Sequence, residues 1–142
     1  MVVQVWMVYA LLSALFAALV AIFGKVGIST VDSTLATTVR AVIMAGFLVA
    51  VSLLLGKAHL LSTIQDRAWL WIVLSGIAGA LSWLFYFLAL KGGPATGVVA
   101  IDRLSIAFVL VLSILFLAEH LTLKAVVGIV LVIAGAIMLS VK

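Results

Sequence analysis

The chain has 142 residues, of which 68% are hydrophobic and 8% are charged, and its mean hydropathy is +1.55. A soluble domain carries roughly 25% charged residues, so this composition excludes a soluble globular domain and a disordered tail. The net charge of +4 comes without a basic run, and cysteine is absent, which excludes nucleic-acid binding, disulfides and cysteine chemistry. The composition indicates an integral membrane protein.

Charged residues divide the chain into five apolar segments, each close to the about 20 residues that a transmembrane helix needs. We predict helices over residues 2–23, 33–55, 68–90, 95–118 and 125–141. Gly92, Gly93 and Pro94 end the third helix, and Thr122 is a predicted N-cap for the fifth. The predicted fold class is all-α integral membrane, with residues 1–142 forming one domain of five helices and short loops.

The second and fourth spans are interrupted by charged residues, Arg40 and the pair Asp102–Arg103. Without them each span would shrink to 15 residues. That is about 22 Å of helix against a hydrocarbon core of about 30 Å. We therefore expect both spans to extend past their charges, which places ionisable groups within the membrane.

Arg40 and Asp102 each lie seven residues into a span that starts on the same side of the membrane, at a depth of about 10 Å. A charge at the bilayer centre costs at least about 2.5 kcal/mol, and an Arg40–Asp102 ion pair would offset much of this cost. Arg103 points about 100° away from Asp102 on a helix. Because the single carboxylate of Asp102 cannot neutralise both arginines, this layer carries one excess positive charge.

The third helix brings Trp83 and Tyr86 to about the same depth in the membrane as Arg40. On one face of this helix the small residues Gly76 and Gly79 come first, and Trp83 and Tyr86 follow. We interpret this layer as a polar pocket with an aromatic wall, whose candidate substrate-binding residues are Arg40, Trp83, Tyr86, Asp102, Arg103 and Ser105. A simpler interpretation stays open. Arginine can extend to the interface, tryptophan and tyrosine are typical of interfacial belts, and one ion pair can serve only to hold helices together.

No other residues suggest chemistry. Glu119 and His120 lie beside Lys124 at a predicted helix end, where a solvated loop is favoured over a metal or proton-relay site. The sequence shows no nucleophile–base pair, phosphate-binding loop or ligand cluster. We predict that the protein is not an enzyme and has no cofactor or metal.

Lysine and arginine in the predicted loops do not decide the orientation. Lys57, Arg67 and Lys124 fall on the N-terminal side, while Lys25, Lys91 and Lys142 fall on the other, a count of three against three. Either the chain inserts both ways and pairs as an antiparallel dimer, as in the inverted symmetry of many transporters, or a partner or a stronger first span sets the orientation.

Four motifs occur in a characteristic order along the chain: Ala36-Thr37-Thr38-Val39-Arg40, Trp83 to Lys91, Ala100-Ile101-Asp102-Arg103-Leu104-Ser105, and Leu117 to Thr122 followed by Gly128 to Gly135. Together they resemble the EamA domain of the drug/metabolite transporter superfamily. The resemblance implies that Arg40, Asp102 and Arg103 occupy the family's polar positions. Ala100 stands where small single-domain members have proline, which removes the residue that would kink the fourth helix.

The resemblance also implies an assembly. Larger members carry two such domains in inverted orientation, ten helices in all, and export amino acids, metabolites or drugs. A one-domain member would recover that arrangement as an antiparallel homodimer. The four-helix small multidrug resistance relatives couple protons through a glutamate in their first helix, but this first helix has none. Asp102 is the one intramembrane carboxylate available for that role.

The predicted function is a secondary transporter subunit that moves a small organic metabolite or drug-like solute across the bacterial inner membrane, by alternating access as a homodimer. The excess positive charge favours anionic or zwitterionic solutes slightly. Two alternatives stay open: a facilitator or heteromeric subunit that requires a paralogous partner, and a non-transporting membrane scaffold.

Overall fold

The computed structural model describes residues 4–118 and 122–140, in which six α-helices and one 3₁₀ helix are found and no strand. The helices are α1 Val5–Gly27, α2 Ser33–Leu54, the 3₁₀ helix Ala58–Thr63, α3 Asp66–Gly92, α4 Ala95–Asp102, α5 Ser105–Leu117 and α6 Leu123–Ser140. Five segments are long and apolar enough to cross a membrane, because α4 and α5 together make one span. The prediction of an all-helical protein with five spans is confirmed.

The surface of these helices is apolar. Large hydrophobic side chains are exposed along every span, with Leu54 at 86% and Met138 at 79% of their accessible area. Water would oppose such exposure, whereas lipid tails are as apolar as leucine and favour it. The surface is therefore that of a multi-pass membrane protein.

Local sequence explains where the helices begin and end. The Leu35 N–H donates to Asp32 Oδ1 at 2.9 Å, which caps α2. The Ala125 N–H donates to Thr122 Oγ1 at 3.2 Å, as the sequence predicts for the last helix. Ala118 follows α5 with φ +52°, a left-handed conformation that ends the helix.

The chain divides into two compact units. The terminal unit contains α1 up to Lys25 together with α4, α5 and α6. In it, α4 packs closely on α6 at Gly97, where an added Cβ would lie 3.9 Å from the Leu139 carbonyl oxygen. The Lys25 Nζ donates to the Gly93 carbonyl oxygen at 2.8 Å, which attaches the end of α1 to the segment before α4.

The fourth span is broken in its interior, although it carries no proline after Pro94. The N–H groups of Leu104 and Ala107 donate to the carbonyl oxygens of Ile101 and Leu104, both at 2.9 Å. These are i→i−3 bonds, which tighten the backbone into a turn between α4 and α5. Replacement of the family's proline by Ala100 therefore does not leave this span a continuous helix.

The hairpin unit, residues 26–91, contains α2, the 3₁₀ helix and α3. The Lys91 ammonium donates to the Val31 carbonyl oxygen, which closes the end of the hairpin opposite its connecting loop. Ile28, Phe87 and Leu90 are almost fully buried near this end. Farther along the hairpin the two helices leave a cavity.

Candidate functional site

A cavity of about 610 Å³ lies between α2 and α3, within the hairpin unit. This volume is typical of sites for small organic ligands, about 300–1,000 Å³. Helix α2 contributes Thr34, Thr37, Thr38, Arg40, Ala41, Met44, Ala45 and Leu48, and α3 contributes Gly76, Gly79, Ala80, Trp83 and Leu84. The wall is mostly apolar, with one cation and three hydroxyl groups.

Arg40 is held against the aromatic part of this wall. Its Cζ lies 3.8 Å from the centroid of the Trp83 ring and 5.3 Å from that of Phe87. A desolvated cation over an aromatic face is stabilised by about 2 kcal/mol. This contact therefore compensates part of the cost of placing Arg40 about 10 Å beyond the start of α2.

The aromatic side chains support one another. Trp83 and Tyr86 meet edge to face with centroids 5.5 Å apart, and Tyr86 and Phe87 do so at 5.9 Å. Phe87 is buried, so this arrangement holds the Trp83 ring in place under Arg40. Tyr86 contacts the cluster but does not line the cavity.

Hydroxyl groups line the cavity near Arg40. Thr37 Oγ1 donates to the Ser33 carbonyl oxygen at 2.7 Å, and Thr38 Oγ1 donates to the Thr34 carbonyl oxygen at 3.0 Å. Because each hydroxyl proton is used within α2, the oxygens remain as acceptors. A ligand can therefore accept hydrogen bonds from Arg40 and donate them to these threonines.

Small residues create the space opposite α2. A Cβ added at Gly76 or Gly79 would meet no heavy atom within 4 Å. The sequence places these glycines on the stripe that continues to Trp83, and both line the cavity. Their lack of a side chain leaves room for a ligand.

The guanidinium of Arg40 has aromatic neighbours in the hairpin unit but no carboxylate beside it. The carboxylates of this unit are Asp32 and Asp66. Asp32 precedes Arg40 by eight residues, about 12 Å along the helix, and caps α2. Asp66 lies in the first turn of α3, whereas Trp83 lies near the other end of that helix. Arg40 is thus a cation without a carboxylate partner in its own unit.

The other three candidate residues belong to the terminal unit. Asp102 ends α4, Arg103 lies in the turn, and Ser105 begins α5; all three are exposed. The structure brings Arg40, Trp83 and Tyr86 together. The ion pair between Arg40 and Asp102 and the binding roles of all six residues stay predictions.

Sequence reasoning missed part of the cavity wall. Thr34, Thr37, Met44 and Leu48 line it from α2, and Phe87 supports it from beneath Arg40. The first four recur at intervals of three, seven and four residues, the spacing of one helix face. That spacing is present in the sequence, but of the α2 residues the sequence analysis selects only the charged one, Arg40.

Among residues 4–118 and 122–140, no group of three His, Asp or Glu side chains is placed to hold a metal ion. Glu119 and His120, for which a solvated loop is predicted, lie outside the described residues. Lys142, which enters the orientation count, lies outside them too.

Five apolar spans define a multi-pass membrane protein, and the cavity between α2 and α3 has the volume of a small-ligand site. The chain belongs to the EamA-like transporter family, whose profile matches residues 4–141. It is thus a membrane transporter protein, and the membership points to transport rather than enzymatic chemistry. The resemblance seen in the sequence motifs is confirmed.

Two relatives span most of the chain. A protein of Sinorhizobium sp., named as an uncharacterized transporter in the cobO 3' region, is 44% identical over 138 residues, 97% of this chain and 98% of the relative. An uncharacterized protein of Methanocaldococcus jannaschii is 33% identical over 99 residues, 70% of this chain and 72% of the relative. No solved structure matches the chain.

Proposed function

We propose that the cavity between α2 and α3 binds the transported solute, a small organic metabolite or drug-like molecule. The observation that carries this proposal is Arg40 stacked on Trp83 at 3.8 Å in an otherwise apolar cavity of about 610 Å³. Intramembrane charges are costly and are typical of substrate pathways. The protein acts as a secondary transporter of the bacterial inner membrane.

The transporting assembly in this proposal is an antiparallel homodimer. The lysine and arginine count is tied, and each chain supplies one five-span domain. Two chains inserted in opposite directions would face their cavities toward opposite sides. Rocking of one chain against the other would then give alternating access.

Flux into vesicles tests transport directly. We would reconstitute the purified chain alone and follow radiolabelled organic anions, zwitterions, cations and neutral sugars. The expected result is saturable uptake of at least one class above that of protein-free vesicles. A membrane scaffold would move none of them, and an obligate heteromer would move solute only after a paralogous partner was added.

Cysteine labelling tests the antiparallel arrangement, because the native chain contains no cysteine. Ser29 and Ser62 are exposed and lie beyond opposite ends of α2, so Ser29→Cys and Ser62→Cys report opposite sides of the membrane. With an impermeant thiol reagent on intact cells, we expect about half of each variant to react, since the charge tie permits both insertions.

The pair of positions serves as its own control. Permeabilised cells should label both variants fully, which shows that each thiol is reachable. Full reaction at one position and none at the other would establish a single orientation and would contradict the antiparallel dimer.

A further inference from the structure

The geometry points to an organic monocarboxylate with an apolar body as the ligand of the cavity between α2 and α3. This inference rests on the proposed function, which assigns solute binding to that cavity, and adds the chemical class of the solute. Its basis is the pairing of one cation with an apolar wall.

Arg40 Cζ lies 3.8 Å from the Trp83 centroid, a contact that still allows the N–H groups of the guanidinium to bind an anion. A guanidinium lying on a ring covers its planar face, while its N–H groups point outward in the plane. Two parallel N–H groups match the two oxygens of a carboxylate. Since neither carboxylate of the hairpin unit, Asp32 or Asp66, lies beside Arg40, a ligand carboxylate would supply the ion pair that this guanidinium lacks within its unit.

The charge count selects a monoanion. Arg40 is the cation among the residues lining this cavity, and no carboxylate lines it. A dianion such as a phosphate monoester would keep one charge uncompensated in an apolar cavity, which is costly. A zwitterion would need a partner for its ammonium group, yet Arg40 already covers the Trp83 face that would attract it.

The rest of the cavity suits an apolar body. Beyond Arg40 the wall continues through Ala41, Met44, Leu48 and the glycines of α3. These groups offer dispersion contacts and no further charge. Methionine also adapts its flexible side chain to aromatic ligands.

Binding to the purified full chain in micelles tests the inference with 3-phenylpropanoate, its neutral amide 3-phenylpropanamide, and the cation 3-phenylpropylamine. Calorimetry should show the carboxylate binding at least tenfold more tightly than either analogue. Arg40→Gln should weaken carboxylate binding at least tenfold and leave the amide affinity unchanged. Arg67→Gln, which changes an exposed arginine at the start of α3 outside the cavity, should have no effect.

The comparison of the three ligands on the unmodified chain does not depend on any variant folding correctly. Equal affinity for carboxylate and amide would overturn the inference, as would an Arg40→Gln variant that folds and keeps full carboxylate affinity. Displacement of the carboxylate by phosphatidylglycerol in mixed micelles would also overturn it, because the cavity would then hold a lipid phosphate.

The vesicle assay separates this inference from the proposed function. Arg40-dependent carboxylate binding without any flux would support the ligand class and contradict transport. Saturable flux of another solute class, without a carboxylate preference in binding, would support transport and overturn the ligand class.

Discussion

Gly79→Leu is expected to reduce solute flux to the rate of protein-free vesicles while the chain stays folded. Gly79 lines the cavity, and a Cβ at this position would meet no heavy atom within 4 Å. The leucine side chain can therefore occupy the space proposed for the solute without displacing a neighbour. Leucine also favours a helix over glycine by roughly 0.5–1 kcal/mol. The measurement is initial uptake into vesicles, normalised to the amount of inserted protein.

Gly46→Leu is the matched control for this variant. Gly46 lies on α2, does not line the cavity, and likewise has no heavy atom within 4 Å of an added Cβ. The same change of residue type should leave uptake near that of the unmodified protein. If both variants transport normally, the solute does not pass through this cavity.

Much of the fold follows from the sequence because hydrophobic length is a strong constraint in a membrane. A span must cover about 30 Å of hydrocarbon and satisfy its own backbone hydrogen bonds. The segments from Ser33 and from Ala95 therefore start where predicted, although each contains internal charges. Helix α3 ends at Gly92, two residues beyond the predicted end at Leu90 and just before Gly93 and Pro94.

The break between α4 and α5 was not predictable in the same way. The expectation of a kink relied on proline, and the chain has Ala100 at that position. The backbone turns instead through i→i−3 hydrogen bonds at Leu104 and Ala107. The short segment α4 packs on α6, a contact between helices that periodicity within one helix does not reveal.

Depth along a helix is predictable from sequence, and the contacts of a charged residue are predictable only in part. Arg40 and Trp83 were placed at one level by counting residues, and the two side chains are indeed in contact. Counting also predicts Asp102 at that level; its ion pair with Arg40 joins two different units and stays a prediction. The observed neighbours of Arg40 are the Trp83 and Phe87 rings, because α2 and α3 form a hairpin and their facing side chains meet.

Trp83→Ala is expected to lower the free energy of unfolding by about 2–3 kcal/mol, from lost packing and from the lost cation–π contact. The substitution removes the ring beneath Arg40 and the edge-to-face partner of Tyr86. Trp83→Phe keeps an aromatic face and should retain most of the stability. The measurement is the free energy of unfolding from reversible denaturant titration in mixed micelles, followed by circular dichroism.

A double-mutant cycle distinguishes the stack from packing alone. If the ring stabilises the guanidinium, Arg40→Gln should be close to neutral in the unmodified chain, because it removes both a costly charge and a favourable contact. In the Trp83→Ala background the same change should raise stability, since only the costly charge is then removed. We expect a coupling of about 1–2 kcal/mol between the two positions. Additive effects would show that Trp83 acts only as a packing residue, and Arg40 would then need another partner to remain within the membrane.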